Sequence, residues 1–302
     1  MSAQPRRVSV IMRSKNSEST IAQALSALFS QDFADFDLLV VDSGSTDRTC
    51  EIVSKYPCTL VRIEARAYFP GAVLNSAIAQ THGEIIVFVN SDAVPLVPQT
   101  LSRLVAAFDD AKVQAAFARQ LPRPDADTWV RRDYASSFPD ADHTPPWIKL
   151  SLPMAAMRRS IWEQRPFYTD AWASEDTEWG HWALTHGHAI KYVPDALVMH
   201  SHNYTLRQLY GRRFVEGEAD AFIFGVADGV ARMVVRAKLA MARDILRCLR
   251  DLDLVGLPSI VPRRVVYFWA YHQGHKLGKQ RIASGDRNAA TGQTVVLTRQ
   301  DD

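Results

Sequence analysis

Three cysteines, Cys50, Cys58 and Cys248, are too few and of the wrong parity for a disulfide framework, and no CxxC pair or Cys/His zinc spacing accompanies them. A reducing, cytoplasmic setting is the expectation that follows. No uncharged apolar run reaches the roughly 18 residues that a spanning helix needs. The opening Met1-Ser-Ala-Gln-Pro-Arg-Arg7 leads into a short strand-like run instead of the apolar stretch of a signal peptide. Two phosphate signatures are also missing. There is no GxGxxG after the first strand and no GxxxxGK[ST], which excludes a dinucleotide fingerprint and a P-loop. Nor does one sign of charge dominate: 35 Lys and Arg against 33 Asp and Glu leave a net +2, which argues against a surface given over to nucleic acid.

What is present is a globular balance, with 47% hydrophobic and 23% charged residues. The small net charge is a cancellation. Residues 1–204 carry 19 basic and 23 acidic side chains, and residues 205–302 carry 16 and 10. The first half alternates two hydrophobic periods. β-rich runs at Val8–Met12, Asp37–Val41, Thr59–Ile63, Glu84–Val89 and Val113–Arg119 are separated by segments of helical spacing, with Ile21, Ala24, Leu25 and Leu28 as the first buried stripe. An α/β sheet flanked by helices is expected. Five prolines between Leu121 and Leu152 predict an irregular loop region there. A helix over Glu175–Thr185 and a strand over Ala189–His200 follow, and the pattern is helical from Thr205 to about Lys279.

Polar clusters follow three of the strands: Arg13-Ser-Lys-Asn16, Asp42-Ser-Gly-Ser-Thr-Asp47 and Asn90-Ser-Asp92. Any one of them reads equally well as turn chemistry. Together they mark the strand-end edge where open α/β sheets bind ligands. Asp92 suits an oxygen-ligated Mg²⁺ or Mn²⁺ bridging a diphosphate. Glu175-Asp176 opens a helix, where acids also complement the macrodipole. His200 and His202 are alternate residues at a strand end, so both imidazoles can share a face.

Taken in order, Val8–Asn16, Leu28–Gln31, Val40–Asp47, Gly71–Asn75, Gly83–Asp92 and Ser174–Trp179 resemble a family 2 glycosyltransferase over about residues 6–205. The resemblance implies a GT-A fold with a Rossmann-like, mostly parallel sheet. It implies inverting transfer of a sugar from a nucleoside diphosphate donor to a carbohydrate or lipid-linked acceptor, with one divalent cation. Carried onto this chain, it makes Arg13, Asn16, Asp42, Ser43, Asn75 and Ser91 nucleotide-binding and places Asn90-Ser91-Asp92 at the family's DxD position. Because Asn90 replaces the first acid, Asp92 would supply most of the metal-binding charge, with His200 ahead of His202 completing the shell. Asp176, beside Glu175, would be the general base. Trp179 would floor the acceptor sugar or belong to the core.

The wording around Tyr68-Phe-Pro-Gly71 and His200–Tyr204 is similar to bacterial rhamnosyltransferase-like enzymes, implying a deoxythymidine diphosphate sugar and surface polysaccharide synthesis. Asn90 motivates an alternative, a non-catalytic nucleotide-sugar-binding or scaffold protein of the same fold. The expected organisation is a catalytic domain over 1–205, a helical extension over 206–280 and a polar tail over 281–302. In the extension, at about 100° per residue, Arg232, Arg236, Arg243, Arg247 and Arg250 share one side, opposite Val234, Met241, Ile245, Cys248 and Leu252. This basic amphipathic helix would either be solvated or lie on the anionic inner face of a cell membrane as a peripheral contact.

Overall fold

In the computed structural model, which describes residues 7–225 and 229–285, the alternating periods become eight strands and ten α-helices among the described residues. The N-terminal half runs β1 (Val8–Ser14), α1 (Ile21–Phe29), β2 (Phe36–Asp42), α2 (Thr49–Val53), β3 (Thr59–Arg62), α3 (Pro70–Ala79), β4 (Ile85–Asn90), β5 (Val94–Pro95) and α4 (Thr100–Ala106). It continues with β6 (Val113–Leu121), α5 (Thr128–Ser137), β7 (Met154–Arg158), α6 (Arg159–Gln164), α7 (Glu175–Thr185) and β8 (Ala189–Met199). Three long helices close it: α8 (Leu206–Phe224), α9 (Val230–Arg250) and α10 (Leu257–Ser284). Among the described residues, no helix is long and apolar enough to cross a membrane.

The sheet order is β3-β2-β1-β4-β7-β6-β8-β5. β1 pairs in parallel with β2 and β4, β7 runs antiparallel to β4 and β6, and β8 is parallel to β6. The strands β1, β2, β4, β6 and β8 therefore end on one edge, where β7 begins. β4 is buried on both faces along Ile85–Val89, as its unbroken apolar run requires. On one face Ile21, Leu25 and Leu28 of α1 are fully buried, each contributing about 1.5–3 kcal/mol by burial. On the other face Leu74 and Ile78 of α3 cover Ile11 and Phe88. Gly83 leads into β4 with its N–H donated to Ser9 Oγ at 2.8 Å, and a Cβ there would collide with the β1 backbone.

The structure departs from the sequence reading in the proline-rich stretch, which holds α5. Its flanking prolines, Pro124 and Pro139, lie outside the helix, and only Val130 and Ser137 of α5 are buried, so the apolar period is too sparse to be seen in sequence. The chain forms two compact units. One runs to Tyr168 and resumes over Asp176–His202; the other takes Thr169–Glu175 and continues from Asn203. In the second, Thr205 and Gln208 form a capping box that starts α8, and Gly217, Gly274 and Gly278 bring the backbones of α8 and α10 together. The buried Arg281–Glu218 pair joins the same two helices. α10 extends to Ser284, into the expected polar tail; residues 286–302 of that tail lie outside the described residues.

Candidate active site

The loops following β1 and β2 are bolted to each other. Asn16 N–H donates to Ser45 Oγ (2.8 Å), and Asn16 Oδ1 accepts Thr46 N–H (2.9 Å). Ser17 N–H donates to Thr49 Oγ1 (2.7 Å), and Glu18 N–H to Asp47 Oδ2 (3.0 Å). In return Arg48 N–H donates to Glu18 Oε2 at 2.8 Å. Asn16 sits at φ +46°, the left-handed region that asparagine tolerates better than most residues, and it stays exposed at the loop tip. Against the burial that would raise it, hydrogen bonds from Thr49 and the Glu18 amide hold the Asp47 carboxyl below its ordinary value. β4 joins the same wall: Ser91 N–H donates to the Arg13 carbonyl at 3.3 Å, and Ser91 and Ser17 share a hydroxyl hydrogen bond at 2.8 Å.

Asp92, His200 and His202 converge, with one potential ligand atom from each lying within 4.8 Å of the others. Asp92 Oδ2 is 3.1 Å from His202 Nε2 and 3.6 Å from His200 Nε2. The orientation of His200 is set from behind. Gln120, at the end of β6, engages Ser151 Oγ through its amide nitrogen (2.6 Å), so its oxygen meets His200 Nδ1 at 2.9 Å. A neutral imidazole donating Nδ1–H to that oxygen would present Nε2 as a ligand atom on the Asp92 side. One carboxylate with two imidazoles is a donor set that fits a divalent ion. Tyr134 Oη of α5 stands 3.2 Å from the same Nδ1. Arg123 fixes the turn itself, donating from Nη2 to the Asp92 carbonyl at 2.9 Å.

Asp176 lies in the first turn of α7. Its Oδ1 accepts Thr177 N–H at 2.7 Å, and its Oδ2 accepts Leu152 N–H at 3.4 Å. The next residue, Pro153, accepts Asn90 N–H at 3.0 Å, and the preceding Ser151 meets Gln120. Three consecutive residues entering β7 thus connect Asp176, the Asn90–Asp92 turn and the support of His200. Glu175 is buried and belongs to the second unit.

The sequence matches the model of Glycosyl transferase family 2 over residues 9–174. The chain belongs to this family. It is a glycosyltransferase of the nucleotide-sugar class with a GT-A fold. The O-antigen chain rhamnosyltransferase RfbN of Salmonella typhimurium is 28% identical over 292 residues, covering 90% of each chain. The O-antigen chain rhamnosyltransferase WbaN of Salmonella anatum is 28% identical over 260 residues, covering 80% of this chain and 79% of its own. Among solved structures, the mannosyltransferase PcManGT from Pyrobaculum calidifontis, in complex with GDP-Man and Mn²⁺, superposes with a TM-score of 0.59 at 20% identity, over 99% of this chain and 87% of that one. At that identity the likeness is one of fold.

Three of the expected site residues are engaged by the protein itself. Asp42 is fully buried, with Oδ1 accepting Gly44 and Ser45 N–H and Oδ2 accepting Ser14 and Ser45 hydroxyls, so it shapes the loop after β2 from within. Asn75 is engaged by the protein: its Oδ1 accepts Trp162 Nε1–H and Phe167 N–H, and its Nδ2 donates to the Phe167 carbonyl. Trp179 is fully buried against Phe167 and Trp182, and its Nε1–H donates to the Arg165 carbonyl at 2.9 Å. No ring face is open to a sugar, so Trp179 is core. Trp179→Ala is expected to cost about 3–5 kcal/mol in urea unfolding. A variant of unchanged stability with only its acceptor KM raised would restore the stacking role.

Arg13, Asn16 and Ser91 sit at the expected edge, with Ser91 buried and Asn16 exposed, and Ser43 is buried with its N–H on the Ser14 carbonyl. Gln120, Tyr134 and Ser151 escape sequence reading. Gln120 is one of three polar residues in β6, beside Gln114 and Arg119, and nothing in that pattern singles it out.

Proposed function

We propose that the chain is an inverting glycosyltransferase that moves a sugar, preferentially from a deoxythymidine diphosphate donor such as dTDP-rhamnose, to a carbohydrate or lipid-linked acceptor in surface polysaccharide synthesis on the cytoplasmic side. The observation that carries this reading is the Asp92–His200–His202 group lying on the same sheet edge as the interlocked β1 and β2 loops, and tied by residues 151–153 to Asp176. The two rhamnosyltransferase relatives support the choice of sugar. Mn²⁺ in the structural relative and two imidazoles in the donor set favour Mn²⁺ over Mg²⁺, which prefers oxygen ligands.

The residues divide the work. Asp176 takes the proton of the acceptor hydroxyl as its oxygen bonds the anomeric carbon and the bond from that carbon to the diphosphate breaks on the opposite side, inverting the centre. Thr177 N–H holds Oδ1, and we assign Oδ2 as the basic atom. Arg13, Asn16, Ser43 and Ser91 form the donor side, with Asp42 behind them as the organiser of the turn. Asp92, His200 and His202 would hold the divalent cation, whose chemistry is to neutralise the diphosphate leaving group.

A donor panel scored by melting temperature with Mn²⁺ tests the assignment. A ligand at about 100 times its Kd adds about 2.7 kcal/mol to the folded state. The dTDP sugar is expected to raise the melting temperature more than its UDP and GDP counterparts. A shift confined to UDP or GDP sugars would overturn the donor, and no shift with any of them would overturn the reading itself.

A further inference from the structure

α9 differs from the helix expected in sequence. Its buried side is narrow, centred on Asp244 and Cys248, with Met241 and Ile245 half-buried. Val234 and Leu252, expected on that side, are 40% and 82% exposed. A second apolar stripe lies on the outer face: Val235, Leu239, Leu246 and Leu249 are 55%, 66%, 67% and 51% exposed. At about 100° per residue these four span a sector of about 80°. The exposed arginines 232, 236, 243, 247 and 250 border it on one flank and Lys238 on the other. The turn that follows presents Leu252, Leu254 and Val255, the last two 65% and 93% exposed. Leu252 is held at φ +54°, a region leucine rarely adopts.

We propose that the outer face of α9 and the Leu252–Val255 turn form a docking surface for an anionic lipid bilayer, with the leucine stripe and turn entering the headgroup boundary and the arginines meeting lipid phosphates. Charge complementarity selects this occupant. α9 carries six cationic side chains and one acid, Asp244, which is buried against Arg264 at 2.7 Å and also lies 3.5 Å from Arg243. The two acids of the turn are already engaged: Asp251 pairs with Arg250 at 2.9 Å, and Asp253 accepts Gly256 N–H at 3.0 Å. A second copy would suit the spacing of the stripe, which Ala242 completes as a heptad, but a symmetric pairing would set the flanking arginines against their own kind. A cationic, leucine-bearing face of this kind lies in a membrane interface by combining buried apolar area with attraction to anionic lipid.

The inference rests on the proposed function only for placing the acceptor at a membrane; binding to lipid is measured without donor or acceptor. The full chain is expected to float with vesicles of equal parts phosphatidylglycerol and phosphatidylethanolamine, and not with phosphatidylcholine vesicles. The double variant Leu239→Gln/Leu246→Gln should lose at least about tenfold in partitioning, with its melting temperature unchanged because both positions are exposed. High salt, or the five arginines changed to Gln, should release the protein as well. Flotation unaffected by the leucine changes, or no flotation with anionic vesicles, would overturn the proposal. A dimer that the leucine variant converts to monomer, with no lipid binding, would give the face to a second copy.

Discussion

Asp176→Asn is expected to lower kcat by roughly 10²–10⁴-fold while leaving donor binding unchanged. The amide keeps the size and planarity of the carboxylate, and its oxygen can still accept Thr177 N–H, so the first turn of α7 should survive. What is lost is the negative charge of the carboxylate whose Oδ2 faces Leu152 N–H, and with it the proposed proton acceptor. Donor melting shifts separate the two steps: they should be equal in wild type and variant, with single-turnover transfer falling. Glu175→Gln is the control. Should Glu175→Gln be inactive and Asp176→Asn active, the base would be Glu175.

The second large effect is expected at the Asp92 group. Asp92→Asn removes the only carboxylate of a three-ligand set, and transfer should fall by at least about 100-fold, with Mn²⁺ affinity, read by electron paramagnetic resonance, weakened in step. Gln120→Ala should act at one remove. Without the acceptor on Nδ1, His200 can turn or change tautomer, and metal affinity should drop by about 10–100-fold. Chelation of wild type should stop the reaction, and added Mn²⁺ should restore it. Full activity in the presence of a chelator would exclude the cation from the mechanism.

Much of this architecture was legible in sequence because its signals are local. The continuous apolar runs of β1, β2 and β4 and the stripe of α1 identify buried strands and their cover, and the polar residues just past those strands mark the edge. His200 and His202 were legible for the same reason, being alternate residues at the end of β8. Illegible were properties that depend on distant partners. Trp179 in sequence is an aromatic one turn beyond an acid pair, and only packing against Phe167 and Trp182 makes it core. Asp42 in sequence gives no sign of its bond from Ser14, which belongs to another strand. The antiparallel β7 carries no sign of its direction, and the dry and wet sides of α9 differ in what packs against them, which composition cannot show.

The cross-bolted β1 and β2 loops, proposed above as the donor side, can change only together. Each loop supplies both donors and acceptors to the other, through Asn16 and Ser17 on one side and Ser45, Thr46 and Thr49 on the other. A substitution in either loop that favours a new nucleotide would also strip partners from its neighbour. With these loops as the proposed donor side, exchanging one of them between relatives should yield a poorly folded edge, and exchanging both together should preserve the edge.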